Sequence, residues 1–251
     1  MRPDRRLLIV GAAALGLSSC DRIVRSDAAR CTVKKAEGLT RRAQRALTDR
    51  QALAPEYSEK DISTDFRANG STNPQDAEYL ALKASGFRDY RLVVDGLVER
   101  PLSLSLADLR ARPSRTQITK HDCVEGWTSI GKWKGARLSA ILREASLKPE
   151  AKYIVFHCFD ALDNTPTGDR YYESIDLVDA FHEQTILAYE MNDRVLPVKH
   201  GAPIRLRLER QLGYKMAKYV KRIEAVASFA HIGRGQGGYW EDRGYEWYAG
   251  I

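Results

Sequence analysis

The chain has 251 residues, 43% of them hydrophobic and 29% charged, and its formal net charge is +7 at pH 7. This composition is typical of a soluble globular protein that buries a sizeable core. Four cysteines are too few for a disulfide scaffold. The sequence has no zinc-finger spacing, no RNP-like aromatic motif and no block of Lys and Arg, which argues against nucleic-acid binding.

The first nineteen residues have the pattern of an export signal. Three arginines up to Arg6 precede an uncharged run over residues 7–19. This run is too short to span a membrane comfortably, since a spanning helix takes about 20 apolar residues. Residues 17–20 resemble a bacterial lipobox, so we expect Cys20 to be the lipidated first residue of a mature, periplasmic, membrane-anchored protein. Arg5 and Arg6 also resemble a twin-arginine (Tat) export signal, and an ordinary Sec lipoprotein signal is the alternative.

Residues 20–60 are polar and basic, and we interpret them as a helical or partly ordered tether. Arginines are interleaved there with Ala and Leu at positions 41, 42, 45 and 50. A solvated helix face explains this pattern, and contact with anionic lipid headgroups is the alternative. Cleavage of residues 1–19 would remove three arginines and one aspartate and leave a net charge of +5. That charge suits an anionic membrane surface better than nucleic acid.

The body, residues 61–251, carries both strand and helix signals. Apolar and β-branched runs predict strands at residues 91–98, 116–120, 153–158, 185–189, 204–209 and 219–229. Strict alternation indicates that the strand at 204–209 is half-buried. Short helices are predicted after Ser105, ending before Pro113, and at residues 138–145 and 176–181. Because no repeat or long linker divides this region, we expect one mixed α+β domain with many short strands.

Cys123 is the residue with the most direct chemical implication. It lies in the run His121-Asp122-Cys123-Val124-Glu125-Gly126-Trp127, after a predicted strand and before an expected short helix. Three interpretations are open from the residues alone. The thiol is a buried structural cysteine, a nucleophile with His121 as base, or a soft metal ligand that leaves the other metal positions to a cofactor and a substrate.

The surrounding motifs resemble those of the sulfite-oxidase-like molybdopterin oxidoreductases. Cys-Val-Glu-Gly-Trp is followed by Gly-Lys-Trp-Lys-Gly at 131–135, Gly-Ala-Pro-Ile-Arg-Leu at 201–206, Gly-Tyr-Lys-Met-Ala-Lys at 213–218 and Gly-Gly-Tyr-Trp at 237–240. The resemblance spans roughly residues 61–251 and is closest to the periplasmic methionine-sulfoxide reductase catalytic subunit type. It implies the molybdopterin-domain fold, with mixed β-sheets and short helices, and a molybdenum-molybdopterin cofactor without a nucleotide.

The resemblance also implies residue roles. Cys123 would ligate the molybdenum. Glu125, two residues further on, would orient a proton near the metal or hydrogen-bond the backbone. Cations would hold the cofactor's phosphate, and the candidates are Arg205, Lys215 and Lys218. A solvent-facing strand residue is the alternative for Arg205.

Further cofactor contacts follow from the same resemblance. His200 stands where the reductase branch has an asparagine, five residues before the arginine. Met216 and Ala217 lie with Lys218 in the segment that would border the cofactor, and Cys158 ends a strand beside the pocket. Asn69 would donate an amide over the pterin, although Asn69-Gly70 also reads as a simple turn. Whether Cys31 and Cys158 pair or stay free is open.

These implications lead to one expected activity. The chain would be an exported enzyme of two-electron oxygen-atom transfer, acting on a small-molecule sulfoxide, on protein methionine sulfoxide or on sulfite. No haem-attachment motif occurs, so electrons would pass through a separate membrane or c-type cytochrome. The glycines at 233–238 precede no helix that could receive a pyrophosphate, so we expect an aromatic tail packed over the body. A tethered protein that binds a pterin or anion without turnover is the alternative.

Overall fold

The structure is a computed structural model that describes residues 27–251 except residues 164, 166 and 167. The predicted signal at 1–19 and the lipobox cysteine, Cys20, lie outside the described residues. The chain divides into two units after Asp49, and helix α1 (Asp27–Leu47) belongs to the first. This helix lies within residues 20–60, whose role as a tether stays a prediction. In the part of the chain that is described, no helix is long and apolar enough to cross a membrane.

The second unit, residues 50–251, holds two sheets and short helices. Its α-helices are α2 (Ala77–Ala84), α3 (Leu106–Ala111), α4 (Leu138–Ala145) and α5 (Leu177–Ala180). Its strands are β1 (Leu92–Gly96), β2 (Leu102–Leu104), β3 (Ser114–Asp122), β4 (Thr128–Arg137), β5 (Tyr153–Ala161), β6 (Arg170–Asp176), β7 (Ile186–Met191), β8 (Arg194–Val195), β9 (Arg205–Arg207) and β10 (Val220–Val226).

The strands form two five-stranded sheets. The first has the order β2-β1-β10-β5-β6, and β1 pairs with β10 in parallel while the other pairs are antiparallel. The second has the order β3-β4-β7-β8, with β9 also paired to β7. This mixture of sheets and short helices confirms the predicted α+β class.

The main hydrophobic core packs α4 and α2 against the strands. Leu138, Ile141 and Leu142 of α4 are fully buried, as their spacing of three and four residues predicts. Burying a side chain of this size stabilises the fold by about 1.5–3 kcal/mol. A smaller cluster lies around Trp133 and Phe66, beside the second sheet.

Residues 50–60 also belong to this unit. The Gln184 side chain accepts a hydrogen bond from the Ala54 amide at 2.8 Å and donates to the Ala54 carbonyl at 3.0 Å. The Tyr57 amide donates to the Ile118 carbonyl at 2.9 Å. The residues from Arg50 onward therefore lie in the body and not in the helical tether.

The strand at 204–209 differs from its prediction. Only Arg205–Arg207 is strand, and all three residues are buried, although the alternation indicated one exposed face. One face is covered because Trp133 lies beneath the two guanidinium groups, at 5.1 Å from that of Arg205 and 4.4 Å from that of Arg207. On the other face Leu206 packs into the main hydrophobic core.

Candidate active site

Residues predicted from distant parts of the sequence meet at one cavity of about 180 Å³. It is bordered by the ends of β3 and β5, by β9, by the segment 213–218 and by the C-terminal tail. Six of the predicted site residues line it: Asn69, Cys123, Glu125, Arg205, Met216 and Lys218.

Cys123 lies in a tight turn that joins β3 to β4. Its amide donates to the Trp127 carbonyl and its carbonyl accepts from the Gly126 amide, both at 2.9 Å. Gly126 has a φ of 86°, a conformation that favours glycine. The expected short helix after Cys123 is therefore wrong: Glu-Gly-Trp closes a hairpin, and the chain returns at once as β4.

The thiol of Cys123 faces the cavity from this turn. The residue is 7% exposed, and the Asn69 amide nitrogen lies 3.8 Å from its sulfur. Burial raises the pKa of Cys123, so the thiol holds its proton until a cation or metal displaces it. Cys158 is also a buried free thiol, but it lies in the hydrophobic core and does not line the cavity.

Glu125 lies at the mouth of the cavity. Its side chain is 60% exposed, accepts a hydrogen bond from the Trp127 indole at 3.1 Å and lies 3.8 Å from the Arg67 guanidinium. A solvated carboxylate of this kind is better placed to contact a group that enters the cavity than to contact a buried metal.

Two buried cations, Arg205 and Lys218, form the inner wall. Gly201 allows their approach, because a Cβ there would lie 3.0 Å from Lys218 Cβ and 3.2 Å from Arg205 Cβ. Arg205 donates to the His200 carbonyl at 3.1 Å, and Lys218 donates to the Asn69 carbonyl at 2.6 Å. Burial, and then the charge of Arg207, lowers the pKa of Arg205 to about 9. Burial, and then the charge of Arg205, lowers the pKa of Lys218 to about 7.

This wall fits an anionic ligand. Within the described residues, neither Arg205 nor Lys218 makes an ion pair, and the buried Nε of Arg205 has no hydrogen-bond partner. Unpaired buried cations are costly, and an anion that approaches them recovers that cost. A phosphate accepts hydrogen bonds from guanidinium and ammonium groups with high strength.

A buried network that the sequence reasoning missed supports the Cys123 hairpin. Arg207 donates to both carboxylate oxygens of Glu209, at 2.9 and 2.6 Å, and to Nδ1 of His121 at 3.1 Å. The same nitrogen lies 3.3 Å from the sulfur of Met216, which borders the cavity. The spacing Arg207-Leu208-Glu209 puts the ion pair on one face of an extended chain and was the available signal.

Lys215 does not reach the cavity, so its predicted role as a phosphate ligand is not supported. Its ammonium is fully buried and contacts the carboxylates of Glu173 and, at 2.5 Å, Glu241. It also donates to the Ser174 carbonyl at 3.1 Å. Two carboxylates hold this cation, and none of its three protons remains for a phosphate.

His200 and Ala217 also lie behind the cavity lining. The His200 ring packs against Phe66, with ring centres 5.6 Å apart, and burial with the nearby Arg205 lowers its pKa to about 4. The Ala217 carbonyl accepts from the Leu206 amide at 2.8 Å and so fixes the segment beside β9. Both residues position Arg205 through the backbone.

Asp160, Tyr171 and Gly213 also line the cavity. Asp160 lies at the end of β5, and the Tyr171 hydroxyl donates to the Tyr214 carbonyl. Gly213 is required by crowding, because a Cβ there would lie 2.4 Å from His121 Nε2.

Two aromatic side chains of the tail form part of the cavity wall. Trp240 and Tyr245 stack with ring centres 5.1 Å apart, and Tyr245 is 38% exposed. The segment after Gly233 thus packs over the body, as expected from its aromatic content, and provides an apolar border next to Cys123.

A family model described as the oxidoreductase molybdopterin binding domain matches residues 80–231, more than half of the chain. The chain belongs to this family. It is therefore a molybdopterin oxidoreductase, as the motifs around Cys123 suggested.

Three relatives are similar to different shares of this chain. A putative protein-methionine-sulfoxide reductase subunit of Azospira oryzae is 38% identical over 81% of this chain and 70% of its own length. The protein-methionine-sulfoxide reductase catalytic subunit of Campylobacter jejuni is 28% identical over 67% of the chain. The mitochondrial sulfite oxidase of Drosophila melanogaster is 37% identical over 60%. The chain spans 60% and 27% of the latter two.

A solved structure is also similar. It is the sulfane dehydrogenase SoxCD from Paracoccus pantotrophus, which aligns with a TM-score of 0.50 and 26% identity over 56% of this chain and 39% of that one. This likeness supports the molybdopterin-domain fold of the present chain.

The residues at the cavity fit the family's cofactor. One thiol can ligate a metal, two unpaired buried cations can hold a phosphate, and the Asn69 amide lies beside the thiol. When bound, molybdopterin supplies a metal centre that exchanges two electrons and one oxygen atom with a substrate.

Proposed function

We propose that this molybdopterin oxidoreductase is exported and reduces sulfoxides, with methionine sulfoxide in proteins as the leading substrate class. The observation that carries the proposal is the cavity, where the Cys123 thiol, two buried cations and the aromatic pair Trp240–Tyr245 converge. The names of the two relatives that cover most of the chain support the choice of methionine sulfoxide.

The border of the cavity suits such a substrate. A methionine sulfoxide side chain has one strongly accepting oxygen on an otherwise apolar stem. Sulfur-containing side chains make favourable contacts with aromatic rings. Tyr245 and Val124 are 38% and 45% exposed there, so an apolar substrate chain can pack on them without unfolding the tail.

The protein's own residues have separable tasks. Cys123 holds the metal, Arg205 and Lys218 bind the cofactor's anionic group, and Asn69 stabilises charge on the thiolate. The Arg207–Glu209 pair and His121 hold the hairpin that presents Cys123. Glu125, at the mouth, is placed to contact the polypeptide of an entering substrate.

Export and electron supply complete the proposal. The predicted signal at 1–19 and lipidation of Cys20 would place the enzyme at the periplasmic face of a membrane. Its electrons would come one at a time from a membrane or c-type cytochrome, since the sequence contains no haem-attachment motif.

The proposal is tested by spectroscopy on enzyme matured with a full supply of molybdenum cofactor. Reduced enzyme is mixed with methionine sulfoxide, with dimethyl sulfoxide or with a peptide that contains methionine sulfoxide, and oxidised enzyme is mixed with sulfite. We expect rapid reoxidation by sulfoxides, fastest with the peptide. Reduction by sulfite with no reoxidation by any sulfoxide would reverse the assigned direction.

A pair of cysteine variants gives the matched control. Cys123→Ser should lose the thiolate-to-metal absorption and all turnover, whereas Cys158→Ser, which changes the other buried thiol away from the cavity, should keep both. Protein that never takes up molybdenum under these conditions would support the non-catalytic binding alternative.

A further inference from the structure

Helix α1 carries most of the net positive charge of the chain after residue 19. Its 21 residues include six basic and two acidic residues, a net charge of +4. Residues 50–251 contain 29 basic and 28 acidic residues, a net charge of +1. The family model matches residues 80–231 and does not include α1. The basic character of the chain therefore belongs to this helix and not to the molybdopterin domain.

The basic and apolar residues of α1 lie on different faces. At 100° per residue, one arc of about 140° contains only Ala, Thr, Val and Leu, at positions 28, 29, 32, 33, 36, 39, 40, 43, 46 and 47. The basic positions 30, 34, 35, 41, 42 and 45 all lie outside this arc. Helices that lie in a membrane interface have this division, with a Lys- and Arg-rich polar face opposite an apolar one.

The described side chains of the apolar face are exposed. Leu39 and Leu47 are 68% and 88% exposed, and Ala36, Ala43 and Ala46 are exposed as well. Contiguous apolar surface of this kind marks contact with a partner or with a membrane.

The sizes of these residues favour a membrane over a second helix. Within the apolar arc, the residues larger than threonine by sequence are Val33, Leu39 and Leu47. A stable seam between two helices places a large apolar residue at two positions of every heptad, and 21 residues would need about six. Three such residues on an alanine-rich face suit shallow insertion among lipids.

The charge and the position of α1 fit an anionic lipid surface. Each Lys or Arg near such a surface strengthens binding by about fivefold. The predicted lipid-bearing residue, Cys20, precedes Asp27 by seven residues, so a lipid anchor would bring the start of the helix to the membrane.

We propose that α1 lies along an anionic membrane surface, with the face of Leu39 and Leu47 inserted between the lipids and its basic residues against their headgroups. This role goes beyond the proposed reaction and does not depend on it. It gives the enzyme a second membrane attachment besides the predicted lipid.

Vesicle sedimentation of the cofactor-loaded chain that begins at Asp21 tests the proposal. This chain lacks Cys20 and keeps every described residue. We expect it to bind vesicles that contain about one-third phosphatidylglycerol and not vesicles of pure phosphatidylcholine, in about 0.1 M salt, where the Debye length is about 10 Å. Binding should be lost in about 1 M salt, where that length falls to about 3 Å.

Two charge variants locate the contact. The helix variant combines Lys34→Glu, Lys35→Glu and Arg42→Glu and should bind the anionic vesicles about 100-fold more weakly. The matched control changes two exposed lysines and one exposed arginine of the body, Lys60→Glu, Lys152→Glu and Arg88→Glu. It has the same net charge as the helix variant, and its binding should fall less than about fivefold, because attraction at a distance is screened.

A third variant tests the apolar face. Leu39→Gln combined with Leu47→Gln should weaken binding by at least about tenfold, since the inserted apolar area is lost. Its melting temperature should be unchanged because both side chains are exposed. Anionic vesicles should also slow trypsin cleavage after Arg42 in the wild type, and phosphatidylcholine vesicles should not.

Four results would overturn the inference. They are equal binding to both kinds of vesicle, an equal loss of binding in the two charge variants, unchanged binding of the leucine variant, and a dimer in solution that the leucine variant dissociates. The last would assign the face to a second copy of the chain. Sulfoxide turnover is measured separately, so a failure of the proposed function leaves the vesicle results standing.

Discussion

Lys215 gives a direct test of how the cavity is held together. The residue is fully buried, and its ammonium joins Glu173 of β6 to Glu241 of the tail. Its sequence neighbours Tyr214 and Met216 line the cavity, so the ion cluster connects the cavity wall to the segment with Trp240 and Tyr245. Lys215→Met keeps the length of the side chain and removes only the charge and its hydrogen bonds.

Lys215→Met should lower the free energy of unfolding by a large amount at neutral pH. Removing one partner of a buried ion pair costs about 3–5 kcal/mol, because the remaining charge is left uncompensated. In a domain of this size, one kcal/mol moves the melting temperature by about 2–4 °C, so the variant should melt about 6–20 °C lower. Burial, and then the charge of Glu241, raises the pKa of Glu173 well above its ordinary value, and this raised pKa sets the pH dependence of the loss.

The direction of this pH dependence follows from the linkage between proton binding and folding. A carboxyl group with a raised folded-state pKa stabilises the fold below its ordinary pKa and loses that contribution as the pH rises through the folded value. In Lys215→Met the two carboxyls have lost their cation, so the defect should be greatest at pH 8 and should shrink toward pH 5.

Thermal melts at both pH values measure this effect. Lys221→Met is the matched control, because Lys221 pairs with Glu78 at the surface, where an ion pair contributes about 0–1 kcal/mol. Lys215→Met combined with Glu173→Gln and Glu241→Gln should recover most of the loss. A Lys215→Met protein that melts like the wild type at pH 8, or that loses more stability at pH 5, would refute this account. Loss of cofactor with normal cofactor-free stability would restore Lys215 as a phosphate ligand.

Three further outcomes follow from the same contacts. Gly135→Ala should lose about 1–3 kcal/mol in urea unfolding, because its Cβ would lie 2.2 Å from the Leu187 carbonyl oxygen, a backbone atom that cannot turn aside. Arg205→Met should lower molybdenum content while leaving cofactor-free protein at least as stable in thermal melts, since it deletes a buried cation with no ion-pair partner. Glu209→Gln should destabilise cofactor-free protein by about 3–5 kcal/mol, because it removes the charge that pairs with buried Arg207.

Most strands were predictable because their inward residues are apolar. β5 and β7 are runs of large hydrophobic residues and are almost wholly buried. β4 escaped prediction although it alternates regularly. Its inward positions include Gly131 and Gly135, and lysines point outward. The strand therefore lacks the alternation of large hydrophobic and polar residues that predicts a half-buried strand. Those glycines are explained by tertiary contacts, since the Phe66 ring crowds the first and the β7 backbone the second.

The site was predictable where the motifs resemble those of a known family. The residues alone left Cys123 open as a structural thiol, a nucleophile or a metal ligand. The resemblance assigned it to a metal and assigned Arg205 and Lys218 to an anion, and these three residues line one cavity. Lys215 was indistinguishable from Lys218 in the sequence, since both follow the same glycine turn three residues apart. The difference lies in their partners, because Glu173 and Glu241 approach only one of them.

The same reasoning explains why Asp160 was harder to interpret than either lysine. An acidic residue near the end of an apolar strand is either a buried polar strand end or a residue of the cofactor pocket, and only the folded chain shows Asp160 lining the cavity with an unpaired oxygen. The cavity holds two cations and one acid that make no ion pair within the described residues, so the protein by itself does not neutralise these charges. The charges at this site are therefore arranged for a ligand, and the two cations are suited to an anionic one.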